Sequence, residues 1–157
     1  MKEIKLTQGK VAIVDDEDYE YLNQWKWYLC KGYITRNIRL EDGRQGKIYM
    51  HRLIVDTPVG MYTDHINGNR LDNRKGNLRI CSKSQNGMNR GGQKNNTTGY
   101  KGVFINKARN NHIFSQIRAN NILIYLGTFR TLENAARAYN KAALKYHGEF
   151  AQLNEAV

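Results

Sequence analysis

The centre of the chain carries side chains that could hydrolyse a phosphodiester bond. Asp64 and His65 are adjacent, Asn77 follows twelve residues after His65, and Asn86 ends the segment. Histidine has a pKa of about 6.5 and can take a proton from water near neutral pH. One carboxylate and one amide can bind a hard divalent cation and leave most of its coordination sphere open to water and phosphate. Residues 63–86 are therefore predicted to form a metal-dependent hydrolytic site.

Each of these residues has a simpler interpretation when it is taken alone. An Asp-His pair is common at surface turns, the Asn-Gly-Asn sequence at 67–69 is an ordinary turn signal, and Asn86 could cap a helix. The combination of four positions in register, with an Asn-rich loop between them, is what favours a catalytic site.

The segment resembles the HNH, or ββα-metal, motif of homing endonucleases, in which two strands separated by a loop are followed by a helix. The resemblance implies that His65 is the general base and that Asn77 orients its imidazole. It implies that Asp64 and Asn86 hold one magnesium or manganese ion per site, and that the enzyme leaves 5′-phosphate and 3′-OH ends on DNA. The last metal position carries Asn rather than His, which makes zinc less expected.

Other residues near the motif have predicted supporting roles. Four basic residues are expected to bind phosphates beside the scissile bond: Arg70, Arg74, Lys75 and Arg79. Asp72 is the main rival as a metal ligand, although the loop residues Asn67, Asn69, Asp72 and Asn73 are expected mainly to shape the loop through hydrogen bonds. His51 lies in a His-Arg-Leu sequence that often precedes the motif in similar nucleases. It is expected to support the site by packing rather than to act in catalysis.

Net charge indicates a polyanionic partner. The chain of 157 residues has a formal charge of +11, and most of this charge falls after residue 60. Such a balance favours phosphate contacts, and double-stranded DNA is the expected partner, with no obligate protein partner evident. No apolar run is long enough for a membrane span or a signal peptide, so a cytoplasmic location is expected, in a bacterial or phage-infected cell by the resemblance. Cys30 and Cys81 lack the spacing of a zinc site or a disulfide framework.

The elements that must position the site are predicted to be short. Alternating runs at 11–14, 25–29, 33–38 and 47–50 predict a small antiparallel sheet, so residues 1–60 are interpreted as a β-rich scaffold. Residues 61–90 form the nuclease motif, which is too polar to fold by burial alone and must pack on that scaffold. Residues 91–97, rich in Gly and Asn, predict a linker.

The last third of the chain predicts three strands and one helix. Runs at 99–105, 113–119 and 122–126 predict strands, with Asn120-Asn121 as a tight turn. Thr131 is a suitable N-cap, and apolar residues at helical spacing run from Leu132 to Tyr146 before Gly148. The predicted class is α+β: an N-terminal antiparallel sheet, a ββα-metal motif, and a C-terminal three-stranded sheet packed on one helix.

Residues 98–154 resemble the Apetala-two, or ethylene-response-factor, DNA-binding domain, through such segments as Gly99-Tyr100-Lys101-Gly102-Val103 and Tyr125-Leu126-Gly127-Thr128-Phe129. In that family the sheet enters the major groove. The matching positions that are expected to face DNA are Lys101, Gln116, Arg118 and Tyr125, with Lys107, Arg109 and His112 nearby. Phe104 and Leu123 occupy two positions that are arginine in the family, which implies a different target.

Two alternatives to a targeted endonuclease remain. One is a non-catalytic, sequence-specific DNA-binding regulator with a relict nuclease motif, which the intact Asp64, His65, Asn77 and Asn86 argue against. The other is a protein that binds or cleaves RNA, which is disfavoured because the C-terminal sheet is expected to lack exposed pairs of aromatic residues. The target sequence, the oligomeric state and the choice between nicking and double-strand cleavage do not follow from the sequence.

Overall fold

A computed structural model describes residues 1–92 and 95–155, which fall into two compact units, Met1–Asn86 and Gly87–Val157. Residues 93 and 94 of the predicted linker lie outside the described residues. In the described ranges, no helix is long and apolar enough to cross a membrane.

The first unit contains three small antiparallel sheets. Strands β1 (Lys2–Lys5) and β2 (Val11–Val14) form a hairpin, β3 (Tyr28–Cys30), β4 (Tyr33–Arg39) and β5 (Gln45–Tyr49) form a meander, and β6 (Tyr62–His65) pairs with β7 (Leu78–Cys81). Helix α1 (Asp16–Leu22) follows β2, helix α2 (Met50–Ile54) follows β5, and helix α3 (Lys83–Met88) follows β7. Helix α1 begins with three acidic residues, which suit the positive end of the helix dipole.

Trp27 is the centre of the core of this unit. Its side chain is fully buried, and its Nε1 donates to the carbonyl oxygen of Leu22 at 2.8 Å. Apolar residues from the first hairpin, α1, β4 and α2 surround it, including Ile4, Val14, Ile34 and Met50. Because Trp27 serves as a core residue, strand β3 begins only after it, rather than at residue 25 as predicted.

The second unit is a three-stranded antiparallel sheet packed on one helix. Strands β8 (Val103–Asn106), β9 (His112–Ala119) and β10 (Ile122–Phe129) lie in the order β10-β9-β8, and helix α4 spans Leu132–His147. The predicted N-cap is confirmed, since the Thr131 side chain accepts from the Asn134 N–H. Asn120 and Asn121 both have positive φ, which confirms the predicted tight turn between β9 and β10.

Strand β8 starts four residues later than the sequence predicted. Gly99 and Gly102 have φ values of +77° and +73°, so the backbone before Val103 is not extended. Tyr139 of α4 packs directly against Gly102, at a position where a Cβ atom would overlap its ring. The turn therefore lets the helix approach the sheet. The observed fold is mixed α/β with small antiparallel sheets and few helices, in agreement with the predicted α+β class.

Candidate active site

Strands β6 and β7 place the predicted catalytic residues at the end of a hairpin. Asp64 pairs with Arg79 and His65 pairs with Leu78 in the antiparallel register. Thr63, Asp64 and His65 are all buried. Asn86 lies on helix α3, the element that follows β7.

His65 is 4% exposed, and its Nε2 lies 3.4 Å from Oδ1 of Asn73. Burial lowers the pKa of His65, while the contact with Asn73 and the charge of Asp64 act in the opposite direction. The net result is a ring that is neutral at neutral pH. A neutral imidazole can accept a proton, as a general base must.

The ring of His51 packs beside the ring of His65. Their centroids are 5.2 Å apart, and Tyr33 and Tyr49 pack on the other sides of His51 at 5.2 and 5.9 Å. His51 is buried, which lowers its pKa to about 3, with a further contribution from His65. His51 therefore lies against the candidate base as an uncharged aromatic neighbour.

Asp64 forms an ion pair with Arg79, directly across the hairpin. Nε and Nη2 of Arg79 donate to Oδ2 of Asp64 at 3.0 and 2.8 Å. Arg79 was predicted to bind phosphate, and its guanidinium here contacts Asp64, the predicted metal ligand. The sequence signal for this pair is the register of the two strands, which brings residues 64 and 79 opposite each other only once the hairpin is aligned.

Hydrogen bonds from Asn and Asp side chains hold the loop between β6 and β7, as the sequence predicted. Oδ1 of Asn67 accepts from the N–H of Asn69, and Oδ1 of Asn69 accepts from the N–H of Leu71. Asp72 is 3% exposed and bonds to Arg74 at 2.7 and 2.8 Å and to Nδ2 of Asn67 at 3.0 Å. Its hydrogen bonds with Arg74 lower the pKa of Asp72.

Asn77 is directed at this loop. Its Oδ1 accepts from the N–H of Asn67 at 3.0 Å, and its Nδ2 donates to the carbonyl oxygen of Asp72 at 2.8 Å. Its backbone carbonyl accepts from the N–H of Ile66, the residue after His65. The residue whose side chain approaches the His65 ring is Asn73, which the sequence had assigned only to loop shape.

The first hairpin of the chain and the residue after it are hydrogen-bonded to the same loop. The N–H of Ile13 donates to the carbonyl oxygen of Leu71 at 2.8 Å, and the N–H of Asn73 donates to that of Ile13 at 2.7 Å. Oδ2 of Asp15 accepts from the backbone N–H of Lys75 at 2.7 Å. The N-terminal strands thereby fix Asn73, which in turn contacts His65.

The other basic residues of the loop also have intramolecular partners. Lys75 pairs with Glu17 at 2.5 Å and with Asp18 at 3.1 Å, and Arg74 pairs with Asp72. Arg70 stacks on the ring of Tyr33 at 4.1 Å and donates to the carbonyl oxygen of Lys31. Partners within the first unit therefore exist for all three of these residues, which were predicted to bind phosphate.

Two oxygen-bearing side chains were predicted to hold the metal ion. The Asp64 carboxylate lies on β6, and Asn86, half-buried, lies on α3. Oxygen donors of this kind, few in number, fit magnesium or manganese better than zinc. Among the described residues, no cluster of three or more His, Cys, Asp or Glu side chains is placed to hold a metal.

In the second unit, three of the residues predicted to face DNA share the sheet face opposite α4. Gln116 pairs with Tyr125, and Arg118 pairs with Leu123, so these side chains alternate with the buried Ile117. Lys107 and Arg109 are exposed in a short 3-10 turn after β8, and His112 begins β9. Lys101 is placed differently. Its Nζ donates to the carbonyl oxygen of Met88 at 2.5 Å, and burial lowers its pKa to about 8.

The same face carries aromatic side chains that the sequence interpretation had missed. Phe104 of β8 is stacked on Phe114 of β9 with centroids 5.4 Å apart, and Phe114 lies 6.2 Å from Tyr125 of β10. Phe104 and Tyr125 are 42% and 58% exposed. The expectation that this sheet lacks exposed aromatic pairs was wrong. Alternation along β8 and β9 was the available signal, since it puts residues 104 and 114 on the same face as Gln116.

Comparison with known proteins relates the chain to nucleases. A family model described as HNH endonuclease matches residues 49–88. Over 154 residues the chain is 31% identical to an uncharacterized HNH endonuclease of Acanthamoeba polyphaga mimivirus, a match that covers 94% of this chain and 76% of the viral protein. Protein 3.8 of Escherichia phage T7 is 42% identical over 52 residues, which are 33% of this chain and 43% of the phage protein. No solved structure matches the chain significantly.

Proposed function

The chain belongs to the HNH endonuclease family, and on that premise we propose that it hydrolyses double-stranded DNA with His65 as the general base and one divalent metal ion at Asp64 and Asn86. The observation that carries this proposal is the position of His65. It is a buried imidazole with a lowered pKa, and it follows Asp64 directly on strand β6.

His65 would activate the attacking water. As the water oxygen forms its bond to phosphorus, the neutral imidazole takes the proton, and the 3′ oxygen leaves with the electron pair of the broken bond. The leaving 3′ oxygen would take a proton from solvent water, so the products would be a 5′-phosphate and a 3′-OH. A bound magnesium or manganese ion would stabilise the negative charge that develops on the leaving oxygen.

Two asparagines would keep the imidazole in place by different routes. Asn73 contacts the ring itself at 3.4 Å. Asn77 acts on the backbone, since its carbonyl oxygen holds the N–H of Ile66 and its amide ties the loop together. Asn77 would therefore position His65 indirectly, through its contacts with the loop, rather than by a side-chain contact with the ring.

Arg79 would orient Asp64, the proposed metal ligand. Its two hydrogen bonds to Oδ2 would hold the Asp64 carboxylate in one orientation for the ion. Contact of Arg79 with a phosphate of bound DNA stays part of the proposal. The partial burial of Arg79 makes its charge less screened than that of an exposed arginine.

The second unit would determine which DNA sequence the enzyme binds. It has the three-stranded sheet and single helix that the Apetala-two resemblance implies, and between residues 95 and 132 the sequence contains five Lys and Arg residues and no Asp or Glu. A sheet of this width fits a major groove. The protein would act in the cytoplasm of a bacterial or phage-infected cell.

The test is cleavage of supercoiled plasmid that carries target DNA, with magnesium or with EDTA. Wild type should give nicked or linear plasmid only with the metal, and His65→Ala should lose at least about 100-fold in rate while it still binds DNA. Lys26→Ala, at an exposed position in the same unit, is the matched control and should cut normally. Equal cleavage by wild type in EDTA, or by His65→Ala in magnesium, would contradict the proposal.

A further inference from the structure

The outer face of the second unit exposes apolar side chains among polar ones. We define this face by Phe104, Phe114, Gln116, Arg118, Leu123 and Tyr125. Phe104, Leu123 and Tyr125 are 42%, 52% and 58% exposed, respectively. Exposed apolar side chains that adjoin one another on one face indicate a binding surface. The pattern and the charge of this face indicate which ligand these side chains bind, and that identification rests on the proposed function.

Pairing across the strands sets the pattern of the face. Phe104 lies directly opposite Phe114, Gln116 opposite Tyr125, and Arg118 opposite Leu123. Directly opposed side chains in an antiparallel sheet have Cβ atoms about 4.5–5.5 Å apart. Gln116 and Arg118 of β9 therefore lie beside Tyr125 and Leu123 of β10, respectively.

Stacking within the sheet covers part of the aromatic surface. Phe104 and Phe114 are stacked on each other, with 23° between their planes, so one face of each ring is covered. The Tyr125 hydroxyl bonds to the hydroxyl of Thr128 at 2.6 Å, which uses its polar end within the sheet. These arrangements suit contact with small apolar groups better than stacking with unpaired bases.

Charge indicates that the partner is a polyanion. The stretch from residue 95 to 132 has no acidic residue, and its cations include Arg118 on the face itself and Lys107 and Arg109 at the adjoining turn. On the major-groove edges of duplex DNA, the apolar group is the 5-methyl of thymine. Arginine suits the guanine edge and glutamine suits the adenine edge.

We propose that Phe104 and Leu123 are specificity-determining residues that contact thymine methyl groups in the major groove. Leu123 would contact a thymine beside the guanine that Arg118 recognises, because the two side chains are directly opposed. The Phe104 and Phe114 pair would contact a second thymine. The target of this enzyme therefore contains thymine next to guanine within the part that the sheet covers.

The experiment removes the methyl group without changing any hydrogen bond. Duplexes that the full-length protein selects from a random-sequence library, in EDTA to prevent cleavage, are made again with uracil in place of thymine. Wild type should bind each uracil duplex about fourfold more weakly for every contacted methyl lost, which is the effect expected for one buried methyl group. A 5-methylcytosine at an unrelated position should change nothing.

Variants assign the effect to the named residues. Leu123→Ala and Phe104→Ala should bind thymine duplexes more weakly than wild type does and should no longer distinguish thymine from uracil at one position each. Tyr146→Ala removes an aromatic residue that is 40% exposed on α4, and it should keep the full uracil penalty. Circular dichroism would establish that each variant is folded.

Several outcomes would overturn the proposal. They are equal affinity of wild type for thymine and uracil duplexes, tighter binding to the single strand or to an RNA of the same sequence, and a dimer of the free protein that Phe104→Ala dissociates. A protein that binds no duplex at all would contradict the proposed targeting function as well. A protein that binds and cuts duplex but ignores the methyl groups would contradict this inference alone.

Discussion

The imidazole rings of His51 and His65 lie 5.2 Å apart, with 55° between their planes. His51 comes from helix α2 and His65 from strand β6, so the contact joins the meander of the first unit to the catalytic hairpin. Burial lowers the pKa of both rings, and a charge on His65 would lower the pKa of His51 further. Burial therefore favours the neutral form of both rings.

Stability of the first unit should fall in acid. An unfolded histidine takes up a proton below about pH 6.5, whereas His51 in the folded protein does so only near pH 3. The unfolded state then binds more protons between these values, so stability is fully present above pH 6.5 and decreases as the pH falls toward 3. The loss from His51 should reach about 2–3 kcal/mol by pH 4.

Urea unfolding followed by tryptophan fluorescence measures this effect, because Trp25 and Trp27 are the two tryptophans of the chain and both lie in the first unit. His51→Phe keeps the ring and removes the titrating group, so it should flatten the profile between pH 6.5 and 4. An unchanged profile in His51→Phe would show that the acid loss has another source.

Cleavage rate should depend on pH through His65. Its lowered pKa places the acid limb of the rate profile below pH 6.5, with a plateau at neutral pH. Asn73→Ala removes the hydrogen bond that favours the charged ring, so the limb should move to still lower pH. Single-turnover rates at saturating magnesium provide the measurement, and a limb above pH 7 in wild type would contradict the assignment of His65 as the base.

Asp64 and Asp72 should differ in their effect on metal requirement. Asp64→Asn should raise the magnesium concentration needed for half-maximal cleavage by at least about tenfold, because one of few ligands loses its charge. Asp72→Asn disrupts the bonds to Arg74 and Asn67 and should lower stability by about 1–3 kcal/mol with little change in that concentration. If instead Asp72→Asn shifts the magnesium dependence and Asp64→Asn does not, Asp72 is the ligand.

Gly102 should tolerate no side chain. A Cβ atom there would overlap the Tyr139 ring and lie 2.8 Å from the carbonyl oxygen of Gln116, and φ is +73°. Gly102→Ala should therefore destabilise the second unit by more than about 3 kcal/mol. Gly99→Ala has a similar φ but no atom within 4 Å of the new Cβ, so its cost should be about 1 kcal/mol. Amide hydrogen exchange in β9 would compare the two.

Arg118 and Lys101 should contribute differently to DNA binding. Arg118→Ala should weaken binding to the selected duplex by about 1–3 kcal/mol and spare binding to unrelated DNA, if Arg118 recognises a base. Lys101→Met should change affinity little at neutral pH, because its ammonium is partly buried and bonded to Met88. Binding isotherms at several salt concentrations test both, and a flatter salt dependence for Lys101→Met would place Lys101 on phosphate.

The sequence predicted most elements and the family, and its errors concern the starts of β3 and β8 and the partners of individual side chains. Helix α4 was predictable because its N-cap and apolar spacing are local features. The pairing of Asp64 with Arg79, and the contact of Asn73 with His65, depend on how two strands align and on where the N-terminal hairpin holds the loop. Neither contact follows from spacing along the chain, because the sequence near residues 64 and 73 offers several other Arg, Asn and Asp residues as possible partners.

The parallel bridge between Ile13 and Asp72 bears on how much of this chain is needed for cutting. The family match begins at residue 49, yet Asn73 and Lys75 are held in place by residues 13 and 15. If only the matched motif were moved into another protein, the hydrogen bonds from residues 13 and 15 would be lost. Asn73 would then be less well fixed, and so would the His65 ring that it contacts. We therefore expect a nuclease transplanted from this chain to need the whole first unit, residues 1–86.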